Sequence, residues 1–121
     1  MIAADSSSLV SFLRDDPGAD VGLVATAAAS GQLVLPPAVV AEVLSGSATL
    51  QAILVKIAQL ELTDGYWERA GAIRRKLREA GLKARLGDAL IAQSCIDHDV
   101  PLITRDSDFR HFEKYCGLKL A

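Results

Sequence analysis

Short apolar runs alternate with longer helical patterns along this chain, and that alternation constrains the fold more than any other feature. Strand-like runs occur at positions 1–4, 33–35, 60–62, 101–103 and 118–120. Helical patterns fill the intervals, at 6–13, 17–31, 36–44, 48–58, 64–80, 88–98 and 109–115. Strands that alternate with helices are typical of βαβ units on a parallel sheet. The sequence therefore predicts an α/β fold.

Composition agrees with one folded domain spanning residues 1–121. Half of the residues are hydrophobic and 23% are charged, as in ordinary folded domains. The two cysteines suggest no disulfide framework, and we expect Cys95 to be a small core residue. The first ten residues lack signal-peptide features, and no apolar run is long enough to span a membrane. We expect a cytoplasmic protein without membrane association.

Five acidic residues stand in apolar surroundings, where an ionised carboxylate needs a cation or strong hydrogen-bond donors. They are Asp5, Glu42, Asp88, Asp106 and Asp108. Each also has a purely structural interpretation. Asp5, Asp88 and Asp108 each precede a predicted helix and are candidate N-caps. Asp106 suits a turn, and Glu42 a solvated gap in its helix.

The predicted topology brings four of these acids together. In an open parallel sheet, ligands bind beyond the carboxyl ends of the strands, where Asp5 and Asp106 stand. The helix that begins at Asp88 is expected at the same edge, and Glu42 can point back over it. Oxygen ligands without thiolates or imidazoles suit Mg²⁺ or Mn²⁺. The alternative, zinc, would use Cys95, His98, His111 and Cys116, whose spacing fits no common zinc site.

Four segments together resemble PIN-domain ribonucleases, and most closely the single-domain VapC toxins of toxin–antitoxin pairs. The segments are Asp5-Ser6-Ser7, Ala41-Glu42-Val43, the run Gly87-Asp88-Ala89-Leu90-Ile91-Ala92, and the run from Leu102 to Phe109. The resemblance covers residues 1–120. It implies a three-layer α/β/α fold with a central, mostly parallel sheet of about four or five strands.

The resemblance also implies a Mg²⁺- or Mn²⁺-dependent endoribonuclease. Asp5, Glu42, Asp88 and Asp106 match the catalytic acids of the family, and Asp5, Asp88, Asp106 and Asp108 are the expected metal ligands. Ser6 and Thr104 match positions that support the ligands by hydrogen bonds. A cognate antitoxin and a homodimer are further implications. The base that accepts a proton from the attacking water is either Asp88 or Glu42.

A basic segment offers a means of binding RNA that the net charge of −2 does not suggest. Residues 69–85 contain seven basic residues against one acidic residue, Glu79. A solvated helix face is the structural alternative. Lys83 and Arg85 follow that helix and approach Asp88 in the sequence, so we predict that they contact RNA phosphates.

The sequence is also compatible with two other function classes. One is a non-catalytic protein-interaction domain whose acids cap helices or pair with arginines. The other is a receiver-like or phosphatase domain, in which a strand-end aspartate accepts a phosphoryl group beside Mg²⁺. That scheme requires a lysine near the aspartates, whereas the strand end here offers Arg105, and it leaves Glu42 without a role.

Overall fold

A parallel four-stranded sheet forms the centre of the computed structural model, which describes all 121 residues. The strands are β1 (Ile2–Ala4), β2 (Leu33–Leu35), β3 (Ala58–Gln59) and β4 (Leu102–Ile103), in the spatial order β3-β2-β1-β4. All three pairings are parallel. The carboxyl ends of β1 and β4 therefore meet at one edge, and the residues that follow them, Asp5 and Asp106 among them, begin there.

Seven α-helices surround the sheet and complete the predicted α/β/α architecture. They are α1 (Ser6–Leu13), α2 (Ala19–Ala29), α3 (Pro37–Gly46), α4 (Gln51–Leu54), α5 (Tyr66–Glu79), α6 (Leu86–His98) and α7 (Phe109–Cys116). Helix α2 packs on α1 and against β2 and β4, whereas α6 contacts α3, α5 and α7. No helix has both the length and the apolar character that crossing a membrane requires.

The core forms where the apolar runs of the strands meet the helices. Strand β2 is buried along its whole length, and Ala3 and Ala4 of β1 are fully buried. Helix α6 buries Ala89, Ile91, Ala92 and Cys95, which explains why its sequence is apolar on nearly every side. The predicted core position of Cys95 is therefore confirmed, and both cysteines are free thiols.

The segment between α3 and α5 departs from the sequence prediction. A single helix was expected at 48–58, but a 3₁₀ turn (Ala48–Leu50) and the short α4 stand there. The strand expected at 60–62 lies at Ala58–Gln59, because its hydrogen bonding with β2 pairs Val34 with Ala58. Backbone pairing, rather than the apolar character of Leu60 and Leu62, sets the position of this edge strand.

Two further boundaries differ for similar local reasons. The final strand predicted at 118–120 is reduced to one bridge, in which Leu102 pairs with Leu120. Helix α5 was expected from residue 64, but it begins at Tyr66, and the residue before its first turn is Gly65, in the left-handed conformation at φ 81°. Thr63 and Asp64, just before it, accept hydrogen bonds from Arg69.

Candidate metal centre

Asp5 lies at the junction of β1 and α1 and is almost fully buried, with 3% of its surface exposed. Its Oδ1 accepts the backbone N–H of Ser8 at 2.9 Å, so the predicted helix cap is present. The same carboxylate accepts hydrogen bonds from the Ser7 hydroxyl and, at 2.6 Å, from the Thr104 hydroxyl. Burial raises the pKa of Asp5, and the hydrogen bonds from Thr104, Ser8 and Ser7 oppose that rise. Asp5 thus caps α1 and also ties β1 to the loop after β4.

Asp88, Asp106 and Asp108 form a compact carboxylate group. Each offers one oxygen, and these oxygens all lie within 4.8 Å of one another. Asp88 is in the first turn of α6, whereas Asp106 and Asp108 lie between β4 and α7. Two parts of the chain separated by a helix and a strand are therefore needed to assemble the group.

Asp88 is the most strongly perturbed member of this group. Burial, followed by the negative charges of Asp106 and Glu42, raises its carboxyl pKa from 3.8 to about 6. Its Oδ2 is buried and has no hydrogen-bond partner. The N-cap interpretation of Asp88 is wrong, because α6 begins two residues earlier, at Leu86, with Arg85 in the cap position. A buried carboxylate oxygen without a donor is the environment that a bound cation would relieve.

The loop after β4 is held by its own hydrogen bonds. The Thr104 hydroxyl accepts the backbone N–H of Asp106 at 3.0 Å while it donates to Asp5. Asp106 Oδ1 accepts the N–H of Asp108 at 2.9 Å. The proposed capping role of Asp108 is wrong, since its side chain makes no capping bond to α7, and Asp106 makes the local turn instead. The Asp108 carboxylate remains turned towards Asp88 and Asp106.

Glu42 lies at the rim of the site and is exposed. Its Oε1 accepts a hydrogen bond from the Ser6 hydroxyl at 2.6 Å. Its Oε2 lies so close to α6 that a Cβ added at Gly87 would stand 2.9 Å from it. Glu42 and Asp5 are outside the three-carboxylate group, but Glu42 is near enough to Asp88 to raise the pKa of that residue.

The two predicted RNA-binding residues occupy different environments. Lys83 Nζ lies 3.1 Å from Asp108 Oδ2, so it is paired with a member of the carboxylate group. Arg85 is exposed and lowers the pKa of Asp88 through its charge. The position of Lys83 also removes one argument against a receiver-like site, because a lysine does lie beside the aspartates.

Sequence reasoning missed three contributors to the site. Ser7 donates to both oxygens of Asp5, although only its neighbour Ser6 was assigned a supporting role. Asp20, at the start of α2, accepts hydrogen bonds from Ser8 and Arg105. Arg105 donation lowers the pKa of Asp20 and fixes the loop after β4 onto the start of α2. The only sequence signal for this contact was the charge of Arg105 directly before Asp106.

The donor set fits a hard divalent cation. Three carboxylates supply oxygen atoms within one ion's reach, and the partnerless Oδ2 of Asp88 is a free ligand atom. The group contains no histidine or cysteine, and such an all-oxygen ligand set is the one that Mg²⁺ and Mn²⁺ prefer. The Thr104 hydroxyl donates to Asp5 and accepts the backbone N–H of Asp106. In metal sites, hydrogen bonds of this kind to the ligand residues fix their orientation.

A family model for the PIN domain matches residues 2–115. The chain belongs to the PIN domain family. The family prediction made from the four sequence segments is therefore confirmed, and divalent metals are the cofactors of nucleases with this fold. No curated protein matches the chain in sequence.

Two solved structures share the fold at low sequence identity. One is VapBC2 from Rickettsia felis bound to a DNA fragment from its promoter, with a TM-score of 0.75 and 19% identity over 100% of this chain and 98% of the other. The second is a toxin–antitoxin complex from Klebsiella pneumoniae, with a TM-score of 0.71 and 19% identity over 98% of this chain and 95% of the other. This PIN domain is thus similar over its whole length to chains of toxin–antitoxin complexes.

Proposed function

We propose that this PIN domain is a Mg²⁺- or Mn²⁺-dependent endoribonuclease that hydrolyses RNA phosphodiester bonds. The observation that carries the proposal is the group of Asp88, Asp106 and Asp108, together with the buried, partnerless Oδ2 of Asp88. A protein-interaction domain would have no need of such a group, because leaving it uncompensated costs stability. A receiver-like domain would leave Glu42 and its contact with Ser6 unexplained.

Each acidic residue has a part in the proposed reaction. Asp88, Asp106 and Asp108 would hold the ion, and the buried carboxylate of Asp5 is linked to the same loop by its hydrogen bond from Thr104. A divalent ion held there would supply positive charge that makes water easier to deprotonate and that offsets negative charge on the phosphodiester. Glu42 is exposed at the rim, and its Oε2 accepts no hydrogen bond, whereas Asp88 is required by the ion. We therefore assign Glu42 as the general base that accepts a proton from the attacking water, with Ser6 orienting its carboxylate.

The decisive experiment is RNA cleavage by purified protein freed of any bound partner. We expect cleavage with Mg²⁺ or Mn²⁺ and none after a chelator is added. The variants Asp5→Asn and Asp88→Asn should lose nearly all activity, and Asp64→Asn, at an exposed carboxylate outside the site, should keep it. Full metal-dependent activity in Asp5→Asn and Asp88→Asn would show that the site is wrongly assigned. An interaction domain would give neither metal-dependent cleavage nor growth arrest on expression.

The biological setting belongs to the same proposal. Both solved structures named above are toxin–antitoxin complexes, which supports a role as the toxin partner of a cognate antitoxin. Expression of the chain alone should arrest growth, and coexpression of a small protein encoded beside it should restore growth. The family resemblance also implies a homodimer, which light scattering of the purified protein would test.

A further inference from the structure

A basic cleft runs along the outer side of α5, beside the start of α6. It has a volume of about 410 Å³ and is lined by Arg74, Arg75, Arg78 and Glu79 of α5, together with Gly71 and Leu86. Only one of the six lining residues is hydrophobic, so the cleft suits a charged ligand rather than an apolar one. The roles assigned so far to Lys83 and Arg85 leave these three arginines unexplained.

The arginines of this cleft are poorly neutralised within the folded chain. Arg75 lies 4.0 Å from Glu79, with both side chains largely exposed, and Arg78 has no ion-pair partner. Arg74 donates through Nε to the carbonyl of Ala84, which holds the loop before α6 and leaves the positive charge unpaired. Like charges three or four residues apart on a helix destabilise it. An anionic ligand would remove that repulsion.

The cleft reaches the first turn of α6, which also carries Asp88 of the candidate metal centre. Leu86, at one wall of the cleft, is the first residue of α6, and Asp88 lies in the same helical turn. Arg85 directly precedes that turn and acts electrostatically on Asp88. An RNA strand whose cleaved bond lies at the carboxylates and whose backbone passes Arg85 would extend towards the arginines of the cleft.

We propose that this cleft binds phosphates of the RNA chain on one side of the cleaved bond, with Arg75 and Arg78 as the principal contacts. The inference rests on the proposed ribonuclease function. Side chains three apart on a helix project side by side, with Cβ atoms roughly 5–6 Å apart, so both can meet one nucleic-acid strand. Guanidinium groups bind phosphate oxygens through paired N–H donors, which makes arginine better suited to this than lysine.

The test is RNA binding in the presence of a chelator, which separates binding from cleavage. The double variant Arg75→Gln/Arg78→Gln is measured by fluorescence anisotropy with a labelled single-stranded RNA over a range of salt concentrations. The matched control is Arg14→Gln/Lys56→Gln, which removes the same charge from exposed residues at the end of α1 and before β3. Neither control residue lines the cleft or belongs to the carboxylate group. Circular dichroism checks that all proteins are folded.

We expect the cleft variant to bind RNA roughly tenfold more weakly and to lose about 1.4 from the slope of log affinity against log salt, the value for two phosphate contacts on a single strand. The control should stay within about twofold of the wild type. Equal losses in both variants, or no loss in the cleft variant, would overturn the inference. Competition by polyglutamate as strong as that by RNA would overturn it too, since the cleft would then be a site for acidic protein.

The two proposals fail in different ways. RNA binding that depends on Arg75 and Arg78, in a protein that never cleaves RNA with metal, supports the cleft and contradicts the ribonuclease. Metal-dependent cleavage by Arg75→Gln/Arg78→Gln with the wild-type KM supports the ribonuclease and overturns the cleft. Where both proposals hold, the cleft variant should raise KM several-fold and leave kcat nearly unchanged, because the arginines bind substrate away from the reacting atoms.

Discussion

At Asp88, the requirements of metal binding and those of folding oppose each other. The carboxylate is 8% exposed, faces Asp106 and Glu42, and has one oxygen without a donor. These features raise its pKa from 3.8 to about 6, so ionised Asp88 destabilises the metal-free fold at neutral pH. Between those two pH values the folded state binds more protons than the unfolded state, and stability falls as pH rises.

Replacing this carboxyl with an amide should remove the pH dependence of stability that Asp88 contributes. Without metal, the free energy of unfolding of Asp88→Asn relative to wild type should increase by about 2–3 kcal/mol between pH 4 and pH 8. The difference grows with pH because Asp88 of the wild type ionises between pH 4 and pH 8, whereas the amide of the variant cannot ionise. Urea unfolding in a chelator at both pH values measures it, and Asp64→Asn is the control. A difference between variant and wild type that stays constant with pH would contradict the raised pKa.

Among the helices and strands, the first turn of α6 has the largest influence on the site. It carries Asp88, and it also limits the space available to the side chain of Glu42. Gly87 lets α3 approach closely, and a Cβ there would stand 2.9 Å from Glu42 Oε2. Gly22 in α2 is a matched position, since a Cβ added there meets nothing within 4 Å. Alanine at either position changes helix propensity, but only at Gly87 does it also disturb the geometry of the site.

Gly22→Ala should stabilise the protein by roughly 0.5–1 kcal/mol and leave cleavage unchanged, because alanine favours the helix. Gly87→Ala should leave the fold intact but push the Glu42 side chain aside, which we expect to reduce the cleavage rate roughly tenfold or more. Thermal unfolding and initial cleavage rates of both variants provide the comparison. Wild-type activity in Gly87→Ala would mean that the position of Glu42 is not important for the reaction.

Helices and strands were predictable from the sequence where their own apolar residues are buried in the core. The structure confirms the predicted elements β1, β2, β4 and α6, because each carries apolar side chains into the core. Strand β3 was misplaced because Ala58 and Gln59 are exposed, and only pairing with β2 makes them a strand. Local apolar patterns carry no information about such pairing.

The same distinction applies to the site. The rule that ligands bind beyond the carboxyl ends of parallel strands predicts that Asp5 and Asp106 lie at the same edge of the sheet, and both residues do follow such strand ends. The environment of Asp108 was not predictable, because it depends on the turn made by Asp106 and on Lys83, which reaches it from a loop distant in sequence. Contacts of this kind form only after the whole chain has packed.

At the scale of the whole molecule, charge is distributed in a way that the net value of −2 conceals. The carboxylates gather at one edge of the sheet, and the arginines of α5 line a cleft beside it. A ligand that carries both a divalent ion and a phosphate chain would neutralise both regions at once. Folding therefore leaves electrostatic repulsion in the free protein that binding removes, and this links metal binding to global stability.

That linkage gives a prediction for metal removal. An ion that binds only the folded state stabilises it by about 2.7 kcal/mol when present at 100 times its Kd, which corresponds to roughly 10 °C in Tm for a domain of this size. We expect Mn²⁺ at pH 8 to raise Tm by such an amount, and a chelator to return it to the metal-free value.

Asp106→Asn should abolish most of the rise, because it removes one of the three carboxylates, whereas Asp64→Asn should keep it. Calorimetry at matched ionic strength excludes general salt effects. An equal rise in Asp106→Asn and wild type would place the bound ion elsewhere on the molecule.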